Sequence, residues 1–205
     1  MERLKHFDSL CESDDRMQVM AVVDAAVGEI RPLTLQDIYA VAEATKLHDG
    51  VPEEIRSHFE TARNLFVYSW FFYPFNIAAQ FHGFLSVEFA LKTKAGTQKG
   101  GFSRLLRQAV TEGWICDKGF SGFDAWRLRG MNHALTGYAE SPEVKTYSQV
   151  LAEVLPYLRN DLAHGSTTLH YRGAEYLGIC AELINQLFEE AATRRRATRS
   201  EGDER

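Results

Sequence analysis

Apolar positions along this chain recur at spacings of three and four far more often than in alternation, and residues that start or stop helices bound each run. Thr34, placed to pair with Asp37, marks a helix start, and Leu35, Ile38, Val41 and Ala42 follow at helical spacing. Pro52 with Glu53 and Glu54 opens a second helix, because Pro fits the first turn and acids complement its dipole. The pattern carries this helix to about Tyr73, where Pro74 kinks or restarts it. From Phe75, an apolar face of Ile77, Phe81, Phe84, Leu85 and Phe89 predicts a third helix ending near Gly96.

Beyond the loop KAGTQKGG, the segment FSRLLRQAVTEGWI predicts a helix with Leu105, Leu106, Val110 and Ile115 on or near one side. A Gly-rich break at KGFSGFD precedes a weaker helical run through Leu128 and Leu135. Ser141-Pro142-Glu143 is a further start signal, followed by Leu151, Leu155, Leu158 and Leu162 as a core-facing stripe and by Gly165 as the stop. The last helix begins near Gly173, with Leu177, Ala181, Ile184, Phe188 and Ala191 on one face. No four-residue alternation stands clear of a helical alternative, so the expected fold class is all-α. Residues 1–73 are expected to form an N-terminal helical extension on the same core, residues 74–192 a helical bundle, and residues 193–205 a mobile charged tail.

Composition narrows the setting. The 205 residues suit one domain with a real core, and a hydrophobic fraction of 45% with 25% charged residues is ordinary for a soluble protein. A formal net charge of −5 means that any contact with nucleic acid must come from a local patch. Cys11, Cys116 and Cys180 are odd in number and lack CxxC spacing, which predicts buried thiols in a reducing compartment. Charges break every apolar run of the N-terminus, and LFVYSWFFYPFNIAAQF is interrupted by Pro74, Asn76 and Gln80. Neither is a signal peptide or a membrane span, so a cytoplasmic protein without a membrane partner is expected.

The chemistry-bearing stretch is LRNDLAHG, residues 158–165. On a helix, Asn160 and His164 share a face one turn apart, while Arg159 lies about 140° from His164. With Leu158 and Leu162 in the core, the helix is expected to present a cation, an amide and an imidazole outward. A guanidinium can bind phosphate through two donors and stabilise growing charge on its oxygens. An imidazole can take a proton from a ribose 2′-hydroxyl or return one to a leaving oxygen, and the amide can orient either group. The alternative is an ordinary helix end, since Arg and His both complement the C-terminal dipole. Spacing alone leaves both readings open.

Arg159-Asn160-Asp161-Leu162-Ala163-His164 resembles the signature of HEPN domains (higher eukaryotes and prokaryotes nucleotide-binding), in which Arg and a polar residue precede a His after a short gap. SVEFALK, Ser86 to Lys92, is similar to the helix that the family carries upstream, and one last helix follows the signature. The likeness covers roughly Pro74 to Ala192. It implies a HEPN-type helical bundle that dimerises so that both signature helices meet at one cleft, and a metal-independent endoribonuclease in a toxin–antitoxin or phage-defence setting. Arg159 would bind phosphate, Asn160 would orient, and His164 would be the acid or base. RNA is the implied substrate, a second copy the implied partner, and an antitoxin or defence-system protein a further one. A toxin branch of the family carries Tyr two residues after the His, the target of a nucleotidyltransferase antitoxin; Ser166 stands there, which puts that partner in doubt. The other reading of the same resemblance is a non-catalytic HEPN scaffold that binds a nucleotide, an RNA or a protein.

Other features change the picture little. KAGTQKGGFS has Phe102 where a P-loop needs Lys, so no nucleotide cofactor is expected there, although Lys92, Lys94 and Lys99 are candidates to touch an RNA backbone. The seven histidines include no HExxH and no Cys-linked zinc spacing, so no metal is expected. Arg194, Arg195, Arg196 and Arg199 read as a solvated helix end or a weak nucleic-acid handle. The aromatic series from Phe66 to Phe75 reads as core or dimer interface.

Overall fold

The computed structural model describes residues 3–24, 27–124, 145–165 and 172–189. Those residues are mostly helical. In order they form α1 (Asp15–Gln18), the strands β1 (Ala21–Val23) and β2 (Ile30–Pro32), then α2 (Leu35–Ala44), α3 (Glu53–Tyr68), α4 (Phe75–Ala95), α5 (Phe102–Thr111), α6 (Tyr147–Ala163) and α7 (Gly173–Leu187). Short 3₁₀ turns occupy Phe7–Ser9 and Asp117–Gly119.

The helix boundaries follow local chemistry. Thr34 accepts from the Asp37 N–H while the Asp37 carboxylate accepts from the Thr34 N–H, closing both ends of a capping box at the start of α2. The left-handed glycine Gly96, at φ 62°, ends α4. The helix α3 stops at Tyr68, short of the expected Tyr73. Its following turn is held from outside: the Asp14 N–H donates to the Trp70 carbonyl at 2.8 Å, and the Asp14 carboxylate accepts from the Tyr73 N–H at 2.9 Å. The N-terminal segment takes up backbone groups that a longer helix would have used internally.

A two-stranded antiparallel hairpin corrects the strand-free expectation. Ala21 pairs with Pro32, Val22 with Arg31 and Val23 with Ile30. Its apolar residues are unevenly used: Val23 and Ile30 are exposed while Val22 is half-buried. Three residues per strand are too few for alternation to register against a helical background.

The core centres on α4, which packs against α3, α5, α6 and α7. Met17, Ile38, Phe59, Phe84, Leu106, Leu155 and Leu177 belong to one buried cluster, so residues from α1 to α7 share a core. The expected apolar face of α4 is only partly right. Ile77, Phe81, Leu85 and Phe89 are half-buried, whereas Ala79, Gly83, Val87 and Ala90 are fully enclosed. A helix surrounded on several sides needs small residues where its neighbours come closest. At Gly83 an added Cβ would stand 3.2 Å from the Cys180 Sγ.

The thiols also differ from expectation: Cys180 is buried, and burial pushes its thiol pKa well up, but Cys11 and Cys116 are exposed. The aromatic run divides similarly. Phe66 and Tyr73 are buried, and Tyr68 and Phe75 are exposed. No helix among the described residues is long and apolar enough to cross a membrane. The expected helix through Leu128 and Leu135, the Ser141-Pro142-Glu143 start, Ser166 and the charged tail with its arginines lie outside the described residues.

Candidate active site

Helix α6 places the signature residues. It begins at Thr146, whose side chain accepts from the Gln149 N–H while the Gln149 side chain accepts from the Thr146 N–H. This helix therefore starts five residues beyond Ser141. Leu151, Ala152, Leu155 and Pro156 are buried and anchor its first half, while Leu158 and Leu162 are half-buried against the core. Pro156, inside the helix, brings no N–H, so the Ala152 carbonyl has no donor from the residue four positions on. The helix ends at Ala163, His164 occupies the cap position, and Gly165 turns away at φ 86°. A left-handed residue there favours Gly and fixes where the chain leaves the helix.

The structure exposes the three side chains unequally. Asn160 and His164 are exposed, and the His164 N–H donates to the Asn160 carbonyl at 3.0 Å. Arg159 turns inward. Its Nη2 donates to the Glu88 Oε2 on α4 at 3.0 Å, and its Nη1 to the Asn160 Oδ1 at 3.3 Å. The Glu88 carboxylate also meets the Lys92 Nζ at 2.9 Å, one turn along α4. With 28% of the Arg159 side chain and 14% of the Glu88 side chain exposed, this is a partly enclosed ion pair. The expectation that the helix shows all three groups outward is corrected: the angular offset of Arg159 carries it toward the α4 carboxylate, and opposite charge holds it there.

The pairing leaves the guanidinium incompletely used. The Arg159 Nε is buried without a hydrogen-bond partner. An orphaned donor on a charged group is costly, and because this one is enclosed, a phosphate could meet only the terminal nitrogens of the guanidinium. Glu88, which sequence reasoning passed over, is the residue that positions Arg159. Its signal was available: an acid followed four residues later by Lys92 inside the otherwise apolar SVEFALK segment.

The same segment supplies a second polar cluster on the α3 side. His58 and His82 stack with ring centroids 4.3 Å apart, and the His58 Nδ1 lies 2.7 Å from the buried Ser86 Oγ. The Ser86 hydroxyl donates to the His82 carbonyl at 3.0 Å. The Ser86 hydroxyl thus sits between the His58 ring and the His82 carbonyl, and its single proton can serve only one of them. Burial, and next the neighbouring His82, lower the His58 pKa. This cluster cements α3 to α4.

Of the other candidates, Lys94 packs its Nζ over the Trp114 ring, 5.7 Å from the centroid, while Lys99 is exposed. Among the described residues no group of three or more His, Cys, Asp or Glu is placed to hold a metal ion. Compared with known protein families, curated proteins and solved structures, the chain matches none.

Proposed function

We propose that the chain is a metal-independent endoribonuclease of the HEPN type, working as a homodimer in a toxin–antitoxin or phage-defence setting. The observation that carries this reading is the end of α6: an exposed imidazole at the helix cap, one turn from an exposed carboxamide, beside a partly exposed guanidinium that Glu88 positions. Those groups suit a phosphodiester. Arg159 stabilises charge on the phosphate oxygens, and Asn160 orients the guanidinium it already touches. His164 takes the proton of an internal 2′-hydroxyl as that oxygen bonds to phosphorus. The bond from phosphorus to the 5′ oxygen breaks, and a second imidazole protonates the leaving oxygen. No step needs a metal, and the product is a 2′,3′-cyclic phosphate.

One imidazole serves one proton transfer at a time. A two-fold axis beside α6 brings the second copy's His164 to the same phosphate. Val154 and Tyr157, 42% and 71% exposed, place an apolar stripe on that helix next to the site, where a second copy would cover it.

The test is cleavage of a defined RNA in chelator by purified protein and by His164→Ala. Cleavage by the native chain, absent from a variant with unchanged circular dichroism, supports the nuclease; inert native protein removes it. A non-catalytic scaffold is the second reading, favoured by the inward pairing of Arg159 with Glu88, which ties up the cation in the single chain. Expression separates the two readings, since a nuclease arrests growth and a scaffold does not.

A further inference from the structure

The stretch from Phe89 to Thr111 contains Lys92, Lys94, Lys99, Arg104 and Arg107 and no Asp or Glu. The whole chain has a formal charge of −5, so this stretch carries +5 and everything else −10. Positive charge in an otherwise acidic molecule is thus concentrated on one segment, where it creates a local field that attracts polyanions.

The segment folds back on itself. It comprises the end of α4, a turn in which the Lys99 N–H donates to the Thr97 Oγ1 at 3.1 Å, and α5. Its ends meet, because the Lys94 ammonium lies over the ring of Trp114, just beyond α5. Helix α5 packs on α4 and α6 and buries Phe102, Leu105, Leu106 and Ala109. Helical geometry then puts Arg104 and Arg107 on the opposite side, and both are exposed, as is Lys99. Among the described residues no carboxylate pairs with these three cations. The acids that bound the segment are engaged elsewhere: Glu112 accepts from Gln108 at 2.7 Å, and Glu88 holds Lys92.

The segment also adjoins the candidate active site. One oxygen of the Glu88 carboxylate meets Lys92 and the other meets Arg159, so the end of α4 and the end of α6 share one acid. We infer that the exposed face of this segment, through Lys99, Arg104 and Arg107, binds the phosphate backbone of RNA next to Arg159, which rests on the chain being a ribonuclease. Three cations spread over a loop and two turns of helix suit repeated phosphates better than a single small anion. Contiguity with Arg159 favours RNA over an acidic protein segment. Phe89 is half-buried and Phe102 is buried, so the segment offers no exposed ring on which bases could stack, and its grip should be indifferent to sequence.

The experiment measures binding apart from cleavage, by fluorescence anisotropy of a labelled oligouridylate with full-length His164→Ala protein across a salt series. Adding Lys99→Gln, Arg104→Gln and Arg107→Gln together should weaken binding at low salt at least about tenfold. It should also flatten the slope of log K against log salt by about 2, roughly 0.7 for each lost phosphate contact. Arg3→Gln with Lys46→Gln, exposed cations outside the segment, should leave the slope as it was. No RNA binding by the parent, an unchanged slope in the triple variant, or equal flattening per charge in the control would each overturn the inference. So would polyglutamate bound as tightly as RNA, which would assign the face to an acidic protein. The triple variant should melt as its parent does; if it does not, single replacements, each flattening the slope by about 0.7, decide the matter. Cleavage is scored separately on chains that keep His164. A native chain that cuts RNA beside a triple variant with an unchanged slope loses only this surface, and a native chain that binds through it without cutting loses only the nuclease.

Discussion

Arg159 and Glu88, 71 positions apart in the chain, meet at 3.0 Å and join the signature helix α6 to the central helix α4. One residue bears the candidate phosphate-binding charge, and the other sets where that charge stands. Their coupling should be measurable in the folded protein. Glu88→Ala and Arg159→Ala, alone and combined, should give an interaction energy of about 1 kcal/mol in urea unfolding, reduced in high salt because both groups retain some contact with water. Additive effects would show that the pair is a surface encounter without positioning value.

The composite site predicts complementation. In a mixed dimer of Arg159→Ala with His164→Ala protein, the single cleft keeps an Arg from one chain and a His from the other, and water must protonate the leaving oxygen in place of the second imidazole. Each variant alone should be inactive, and the mixture should regain a measurable fraction of native cleavage of a fluorogenic RNA. A mixture as inert as its components, despite confirmed exchange of subunits, would place the complete site within one chain or nowhere.

Gln80 lies one turn along α4 from Asn76, is 1% exposed, and has neither end of its carboxamide hydrogen-bonded. Gln80→Leu has a similar volume and removes the orphaned groups. It should stabilise the chain by about 1 kcal/mol, a rise in melting temperature of roughly 2–4 °C for a domain of this size. A lower melting temperature would mean that the amide has a polar neighbour in solution.

Asp14 predicts a pH dependence. Its carboxylate accepts from Arg16 foremost, then from the Tyr73 N–H, and its pKa falls from the ordinary 3.8 to about 2. A depressed acid contributes stability that is fully present above 3.8 and disappears as pH falls through about 2. Asp14→Asn should therefore cost about 1–2 kcal/mol at neutral pH, and the gap from the native chain should close progressively across that acidic window. Parallel denaturant midpoints at all pH values would show that Asp14 carries no linked proton.

The sequence was most informative where one residue suffices. The caps at Thr34 and Gly96 and the stop at Gly165 were legible because a side-chain oxygen or a left-handed glycine acts on its own turn. It was least informative where two distant segments compete for the same group. Nothing near Tyr68 announces the end of α3, because the Asp14 groups that hold the following turn lie more than fifty positions away. The inward turn of Arg159 is similar: helical spacing gave its angle from His164, but only Glu88 gave the destination.

The last turn of α6 has a consequence for how this chain can change over generations. Its anchoring side chains, Leu151 and Leu155, lie upstream, while Asn160 and His164 hang beyond them in solvent. Replacing either exposed residue removes no buried contact, and exposed positions of this kind usually shift stability by within about 0.5 kcal/mol. Selection can thus exchange the side chains at this helix end by single steps without passing through an unfolded intermediate. Arg159 is more constrained, because its loss would leave the largely buried Glu88 carboxylate with Lys92 in place of two cations.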